Sequence, residues 1–296
     1  MINKHGLITK AIAGFYYVAA DNKCYECKAR GVFRNQNQSP MVGDYVDIEI
    51  DENNKGVVVS VDERKNSFLR PPLANLDKLF IVVSTCNPTP SFLVIDKLIA
   101  VCEYKEIEPI IIITKTDLKE ADELVSIYRN AGFQVIALSN EEAIHFDEVK
   151  SYLQDSISAF IGNTGVGKSS LLNNIFPELK LETSHISKKL GRGRHTTRHV
   201  ELFAIEGLNG YVADTPGFGS MEITRYDIIF KDQLQYCFRE FEPYLQKCKF
   251  TGCSHTSEKG CEVLKALENG EIERTRFESY VAMYEDAKNL KEWELK

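Results

Sequence analysis

The 296-residue chain has one tryptophan, nine prolines and no apolar run near the roughly 20 residues that a bilayer-spanning helix needs. No membrane span or membrane partner is expected. Positive charge is also short, with 36 Lys and Arg against 43 Asp and Glu and a formal charge of -7. A protein that binds nucleic acid by being basic all over is thereby excluded, and any such contact must come from local patches. The start, Met1 to Gly6, lacks the apolar core of a secretion signal, so a cytoplasmic protein is expected. Eight cysteines could pair in an oxidising compartment, but three of them cluster with a histidine at a metal-like spacing, and disulfides are not expected. With 43% hydrophobic residues, the chain can build two or three real cores.

What is present centres on Gly162, Asn163, Thr164, Gly165, Val166, Gly167, Lys168 and Ser169, a G-x-x-x-x-G-K-S run. It follows the apolar Ile157 to Ile161 and precedes the helix-like Ser170 to Ile175. The glycines let successive N–H groups turn inward around phosphates, and the helix N-terminus adds partial positive charge. Lys168 can reach the β and γ phosphates, and Ser169 can place its hydroxyl on Mg²⁺. A nucleoside triphosphate site is expected here.

Ahead of it, residues 1–71 read as short strands without helices: 7–12, 15–18, 28–33, 44–50 and 56–61. Val46, Ile48 and Ile50 alternate with Asp47 and Glu49, the pattern of a sheet with one wet face. Five such strands predict a small all-β barrel of the OB type. Phe15, Tyr16, Tyr17, Arg30, Phe33 and Arg34 are candidates for an RNA-binding face, or else plain core and solvated charge. Cys24 and Cys27 have no second pair nearby and read as incidental.

Residues 72–220 alternate apolar strands (79–84, 109–113, 133–138, 157–161) with helical stretches, the first over 92–104, which predicts an α/β domain with a parallel sheet. Ligands of such sheets sit beyond the carboxyl ends of the strands. Two polar segments stand at those ends: Thr114, Lys115, Thr116 and Asp117, and then Ser139 and Asn140. The first resembles the N-K-x-D guanine motif, whose carboxylate accepts from the ring N–H and the exocyclic amine of guanine. Adenine offers no such donor pair. Thr114 stands where that motif has Asn, a departure that removes one amide contact, and Ser139 would seat the other edge of the base.

Downstream come Gly191 to Thr197, which supplies Thr196 or Thr197 to close over Mg²⁺, and Asp214 to Gly217, the D-x-x-G form whose Asp holds magnesium through water and whose Gly senses the γ-phosphate. Phe218 follows where Ras-like enzymes have a water-orienting glutamine, so slow intrinsic turnover is expected, with His195 the candidate for placing the water. Lys188, Lys189, Arg192, Arg194 and Arg198, with no acid between Ser187 and His199, suit rRNA phosphates.

Over 221–296 a helix-like region, 226–241, precedes Cys248, Cys253, His255 and Cys261. Three thiolates and an imidazole are what a closed, structural zinc site requires. Phe277, Tyr280, Val281, Tyr284 and Ala287 form an apolar stripe at helical spacing, expected to pack on that module. Cys86, Cys102 and Cys237 read as ordinary buried cysteines.

The base motif precedes the phosphate loop, the reverse of the Ras order, so the GTPase is circularly permuted. With a barrel in front and a zinc cluster behind, the whole chain resembles the ribosome small-subunit-dependent GTPase A family, RsgA, through its GRGRHTT, GNTGVGKSS and DTPGF segments and the cysteine-histidine cluster. The resemblance implies a cytoplasmic, monomeric factor that binds GTP and GDP with Mg²⁺, carries zinc, contacts rRNA and hydrolyses GTP under stimulation by the small ribosomal subunit late in its assembly. Two other classes stand beside it: a nucleotide-locked RNA-binding module with negligible turnover, and an ATP-dependent phosphotransferase, which Asp117 argues against. Because the chain runs from Gly217 into the zinc module, the γ-phosphate loop is expected to move that module.

Overall fold

The structure is a computed structural model that describes residues 2–31, 33, 39–52, 55–69, 71–142, 144–177, 200–214, 227–288 and 290. These fall into two compact units, the first drawn from Met1–Leu79, Lys150–Phe160 and Leu190–Phe218 and the second from Phe80–Val149, Ile161–Lys189 and Gly219–Lys296. Among the described residues, no helix is long and apolar enough to cross a membrane.

In the first unit, β1 (Ile2–Ile12), β2 (Phe15–Ala20), β3 (Lys23–Ala29), β4 (Tyr45–Ile50) and β5 (Gly56–Val61) form a closed barrel. β1 pairs antiparallel with both β2 and β4, β3 pairs antiparallel with β2 and parallel with β5, and β5 returns antiparallel to β4. That ring is the OB-like barrel. Val46, Ile48 and Ile50 point inward with Ile8, Val18 and Val58, while Asp47 faces water, so the alternation in β4 reads out as one dry face. Asp44, wholly buried, is answered by Arg64 through two bonds of 2.7 and 2.8 Å.

The third strand lies earlier than the expected 28–33. Lys23–Ala29 alternates outward Cys24, Glu26 and Lys28 with inward Tyr25 and Cys27, so the two cysteines lie on opposite faces and form no half-knuckle. Phe33 is buried outside any strand. Two strands absent from the expectation also occur here: β6 (Ser67–Leu69) pairs with β7 (Pro72–Ala74), whose first residue is the second of the paired prolines. Toward the other end of this unit, β11 (Ile157–Ile161) pairs parallel with β13 (Gly210–Asp214), which pairs antiparallel with β12 (Glu201–Ile205).

The second unit carries β8 (Lys78–Ser84, from Phe80 on), β9 (Glu108–Thr114) and β10 (Gln134–Ala137) side by side, with β9 and β10 parallel and Ile113 opposite Ala137. Their central residues, Leu79 to Val83, Ile110 to Ile113 and Val135 with Ile136, are apolar and buried on both faces, as a covered parallel sheet demands. Helices α1 (Phe92–Tyr104), α2 (Asp122–Asn130) and α4 (Lys168–Ile175) belong to this unit, and a further helix, α3 (Phe146–Leu153), runs ahead of β11.

The region expected as one helix over 226–241 is instead α5 (Lys231–Leu234) followed by 3-10 turns over Gln235–Cys237 and Arg239–Tyr244, with Pro243 inside the second. Helices α6 (Glu262–Glu268) and α7 (Arg274–Lys288) complete the unit. The buried face of α7 is Arg276, Ser279, Tyr280, Met283 and Ala287, one position off the expected stripe, with Phe277, Val281 and Tyr284 only half-buried. The reason is Arg276: its guanidinium, 1% exposed, pairs with Asp96 of α1 and with Glu240, each at 2.7 Å, and lies over the rings of Phe133 and Phe238. Ionic complementarity, invisible to an apolar pattern, turns the helix.

Candidate nucleotide site and metal centre

The polar ends of β8, β9 and β10 converge on the phosphate loop. Gly162 leaves β11 so close to β8 that a Cβ there would stand 2.5 Å from the Val82 carbonyl, which only glycine permits. Gly167, the residue before α4, has φ of 90°, a left-handed conformation that leaves the first N–H groups of α4 without a side-chain cap. Val166 is buried beneath the loop, whereas Asn163, Thr164, Gly165 and Ser170 are exposed and Lys168 and Ser169 half-exposed. The loop is thus a cradle of backbone donors open on one side.

The base-side loops are tied to this cradle. Thr114, wholly buried, donates from its hydroxyl to the Val166 carbonyl at 2.5 Å and lies 3.1 Å from the Val83 carbonyl. The substitution of Thr for Asn in the guanine-like motif therefore does not forfeit the contact with the phosphate loop, because a shorter hydroxyl reaches the same region from a closely packed strand end. Lys115 takes a left-handed φ of 61°, its ammonium bonded to the Cys86 and Asn87 carbonyls and its own carbonyl accepting from Thr85 at 2.8 Å. Cys86 is only half-buried, unlike Cys102 and Cys237, because it lies in the loop after β8.

Thr116 follows, its N–H toward Leu138 O, and the exposed Asp117 carboxylate accepts from Ser139 Oγ at 2.8 Å. Ser139, wholly buried, in turn accepts from the N–H groups of Glu141 and Glu142 at 3.2 and 3.3 Å. One oxygen of Asp117 is held from behind while the group faces out, a carboxylate oriented for a donor pair. Asn140 donates to the Gly167 carbonyl at 3.2 Å, a contact the sequence did not suggest.

His195, Thr196, Thr197 and Gly217, with the basic residues from Lys188 to Arg198, lie outside the described residues, as do Arg34 and the side chain of Asp214, whose backbone ends β13. On the barrel, Phe15 and Tyr17 share a face; Lys28 stands over the Phe15 ring, Tyr17 donates to Glu26 at 3.2 Å and Arg30 pairs with Glu49 at 2.8 Å.

In the metal centre, the ligand atoms of Cys248, Cys253, His255 and Cys261 all lie within 4.8 Å of one another. Cys248 Sγ is 3.8 Å from Cys261 Sγ and 3.5 Å from His255 Nδ1, and His255 Nδ1 is 3.4 Å from Cys261 Sγ. Tetrahedral zinc with ordinary bond lengths sets sulfurs about 3.8 Å apart and sulfur and nitrogen about 3.5 Å apart, so the donor set fits that ion. Burial lowers the pKa of His255, which keeps the imidazole neutral as a ligand must be, and pushes the Cys253 thiol up to about 12, so its thiolate needs a cation. His255 Nε2 donates to Gln235 Oε1 at 2.9 Å, leaving Nδ1 for the metal. Burial acts upward on Glu258, yet hydrogen bonds from the Ser254 hydroxyl and from the N–H groups of Ser254 and Ser257 outweigh it and bring its carboxyl down to about 2. That carboxylate ties the turn between two ligands.

Comparison with known proteins agrees with this geometry. Residues 61–224 match the family model described as RsgA GTPase, and residues 5–58 match the RsgA N-terminal domain. A protein of Oceanobacillus iheyensis named small ribosomal subunit biogenesis GTPase RsgA 2 is 43% identical over 97% of this chain and 98% of its own. One of Halalkalibacterium halodurans, named small ribosomal subunit biogenesis GTPase RsgA, is 44% identical over 96% and 97%. Among solved structures, YjeQ from Thermotoga maritima is 33% identical with a TM-score of 0.82 over 98% of this chain and all of its own. YloQ, titled a circularly permuted GTPase, is 36% identical with a TM-score of 0.81 over 98% and 96%. Carrying its base-side motif ahead of its phosphate loop, behind an OB-like barrel and before a Cys3His cluster, the chain belongs to the RsgA GTPase family.

Proposed function

We propose that this protein hydrolyses GTP to GDP and phosphate when stimulated by the small ribosomal subunit, and acts late in the maturation of that subunit through rRNA. The observation that carries the reading is the 2.5 Å bond from Thr114 to Val166, which joins a base-side loop to a phosphate loop in one crevice. Asp117, steadied by Ser139, accepts from the ring N–H and amine of guanine, with Lys115 and Thr116 shaping the loop around the base. The amides of the run from Gly162 to Ser170 hold the phosphates, and Lys168 stabilises the charge that develops on them. Ser169, a threonine from Thr196 and Thr197, and Asp214 hold Mg²⁺, which neutralises phosphate charge when bound. Gly217 senses the γ-phosphate, and His195 places the water in the absence of a glutamine. Zinc on Cys248, Cys253, His255 and Cys261 is structural, since four protein ligands leave no open position.

The barrel over 1–71, the GTPase part over 72–220 and the zinc-binding part over 221–296 divide these tasks, in a cytoplasmic monomer without a membrane partner. Phosphate release, measured with and without small subunits and with GTP against ATP, tests the proposal, with Lys168→Ala as control. Stimulated, GTP-selective release that the variant lacks is expected. Unstimulated binding without release would favour the nucleotide-locked RNA-binding module, and equal use of ATP would remove Asp117 as selector.

A further inference from the structure

Two consecutive carbonyls of the phosphate loop are occupied from the base side: Val166 O by the Thr114 hydroxyl at 2.5 Å, and Gly167 O by Asn140 Nδ2 at 3.2 Å. A trans peptide sets its C=O and N–H on opposite sides. Fixing these two carbonyls therefore fixes the N–H groups of Gly167 and Lys168 in the opposite direction, into the cradle. Gly167 O also accepts from Leu171 N at 2.9 Å, so the amide of Asn140 adds a second donor to a carbonyl that already starts α4.

The placement of Asn140 is specific. Its neighbour Ser139 holds Asp117, and its own carbonyl accepts from Asn174 Nδ2 of α4 at 3.2 Å. A Cβ on residue 167 would stand 2.8 Å from Asn140 Nδ2, so glycine there is what admits the amide. Asn140 Oδ1 is buried and without a hydrogen-bond partner among the described residues. Turning the amide over would set that oxygen against the Gly167 carbonyl, two acceptors face to face, so the nitrogen end is held where it is. A side chain that leaves one end unsatisfied to hold the other is one whose held contact matters.

Building on the guanine-nucleotide reading above, we infer that Asn140 is a positioning residue that links base engagement at Asp117 to the N–H groups of Gly167 and Lys168, so that the affinity contributed by the β-phosphate depends on the base-side loop. Its amide does not touch the ligand; it aims the peptides that do.

The test compares GDP with GMP as competitors of a fluorescent GDP analogue in the full chain carrying Asn140→Ala or Asn140→Asp. Aspartate keeps the shape and loses the donor. GDP should weaken about three- to tenfold in both variants, the range one hydrogen bond commands, and GMP by less than about twofold. On acidification, Asn140→Asp should recover relative to wild type as its carboxyl takes up a proton it can donate, a response that a purely structural defect would not give. Unchanged GDP affinity, equal weakening of GDP and GMP, or no recovery in acid overturns the inference. Failure of the wild-type protein to bind GDP would instead refute the nucleotide reading itself.

Discussion

The sharpest stability prediction concerns Arg276→Met. Methionine fills similar space but removes the charge that answers Asp96 and Glu240 at 2.7 Å each, with a second bond to Glu240 at 3.1 Å. Asp96 is wholly buried and the side chain of Glu240 is 4% exposed, so neither can turn to water. Removing one partner of such a cluster costs about 3–5 kcal/mol, because the remaining charge keeps its desolvation penalty without compensation. Against a total of about 5–15 kcal/mol, that is a large share. At a urea dependence near the upper end of the usual range, the midpoint should fall by about 1–2 M. Urea is the denaturant to use, since guanidinium chloride would screen the charges.

The loss has a pH signature. Burial already holds the Asp96 carboxyl above its ordinary value against the pull of Arg276, and without the guanidinium it rises further. A carboxyl raised in the folded state stabilises it below the unfolded pKa, and that contribution is lost as pH rises through the folded value. The deficit of the variant should therefore be small near about pH 4 and grow toward neutrality. Circular dichroism across a urea series at several pH values measures it. A deficit below about 1 kcal/mol at neutral pH, or one that does not change with pH, refutes the account of a charge-balanced core.

Thr114→Val keeps the shape but leaves the Val166 carbonyl without its hydroxyl, so GDP affinity should fall about three- to tenfold by titration calorimetry, and unfolding should come about 1–3 kcal/mol more easily. Gln235→Ala removes the acceptor of His255 Nε2 and should weaken zinc about 10- to 100-fold in a chelator competition; a loss below twofold would deny it that role. Zinc uptake at neutral pH should release about three protons per ion in a weakly buffered titration, because thiolates ligate and the Cys253 thiol is protonated there.

Residue identity and spacing were enough for the elements whose chemistry is local. The α1 span over 92–104, the strand entering the loop over 157–161 and the inward set of Val46, Ile48 and Ile50 follow from periodicity alone. The G-x-x-x-x-G-K-S run and the order of the motifs carry the permutation, since backbone donors and ligand types are fixed by residue identity and spacing. The gathering of Cys248, Cys253, His255 and Cys261 into one cluster was equally legible. Contacts between distant positions came from the packing of the folded chain. It placed the Thr114 hydroxyl against Val166, set Asn140 behind Gly167 and turned α7 to bury Arg276 against Asp96, a residue 180 positions away. It also broke the expected 226–241 helix, where Pro243 and the packing of Phe241 against the His255 ring favour 3-10 turns. Periodicity reads which face is dry; it holds no record of which buried charge or carbonyl will meet which donor, because that depends on where separate segments come to rest.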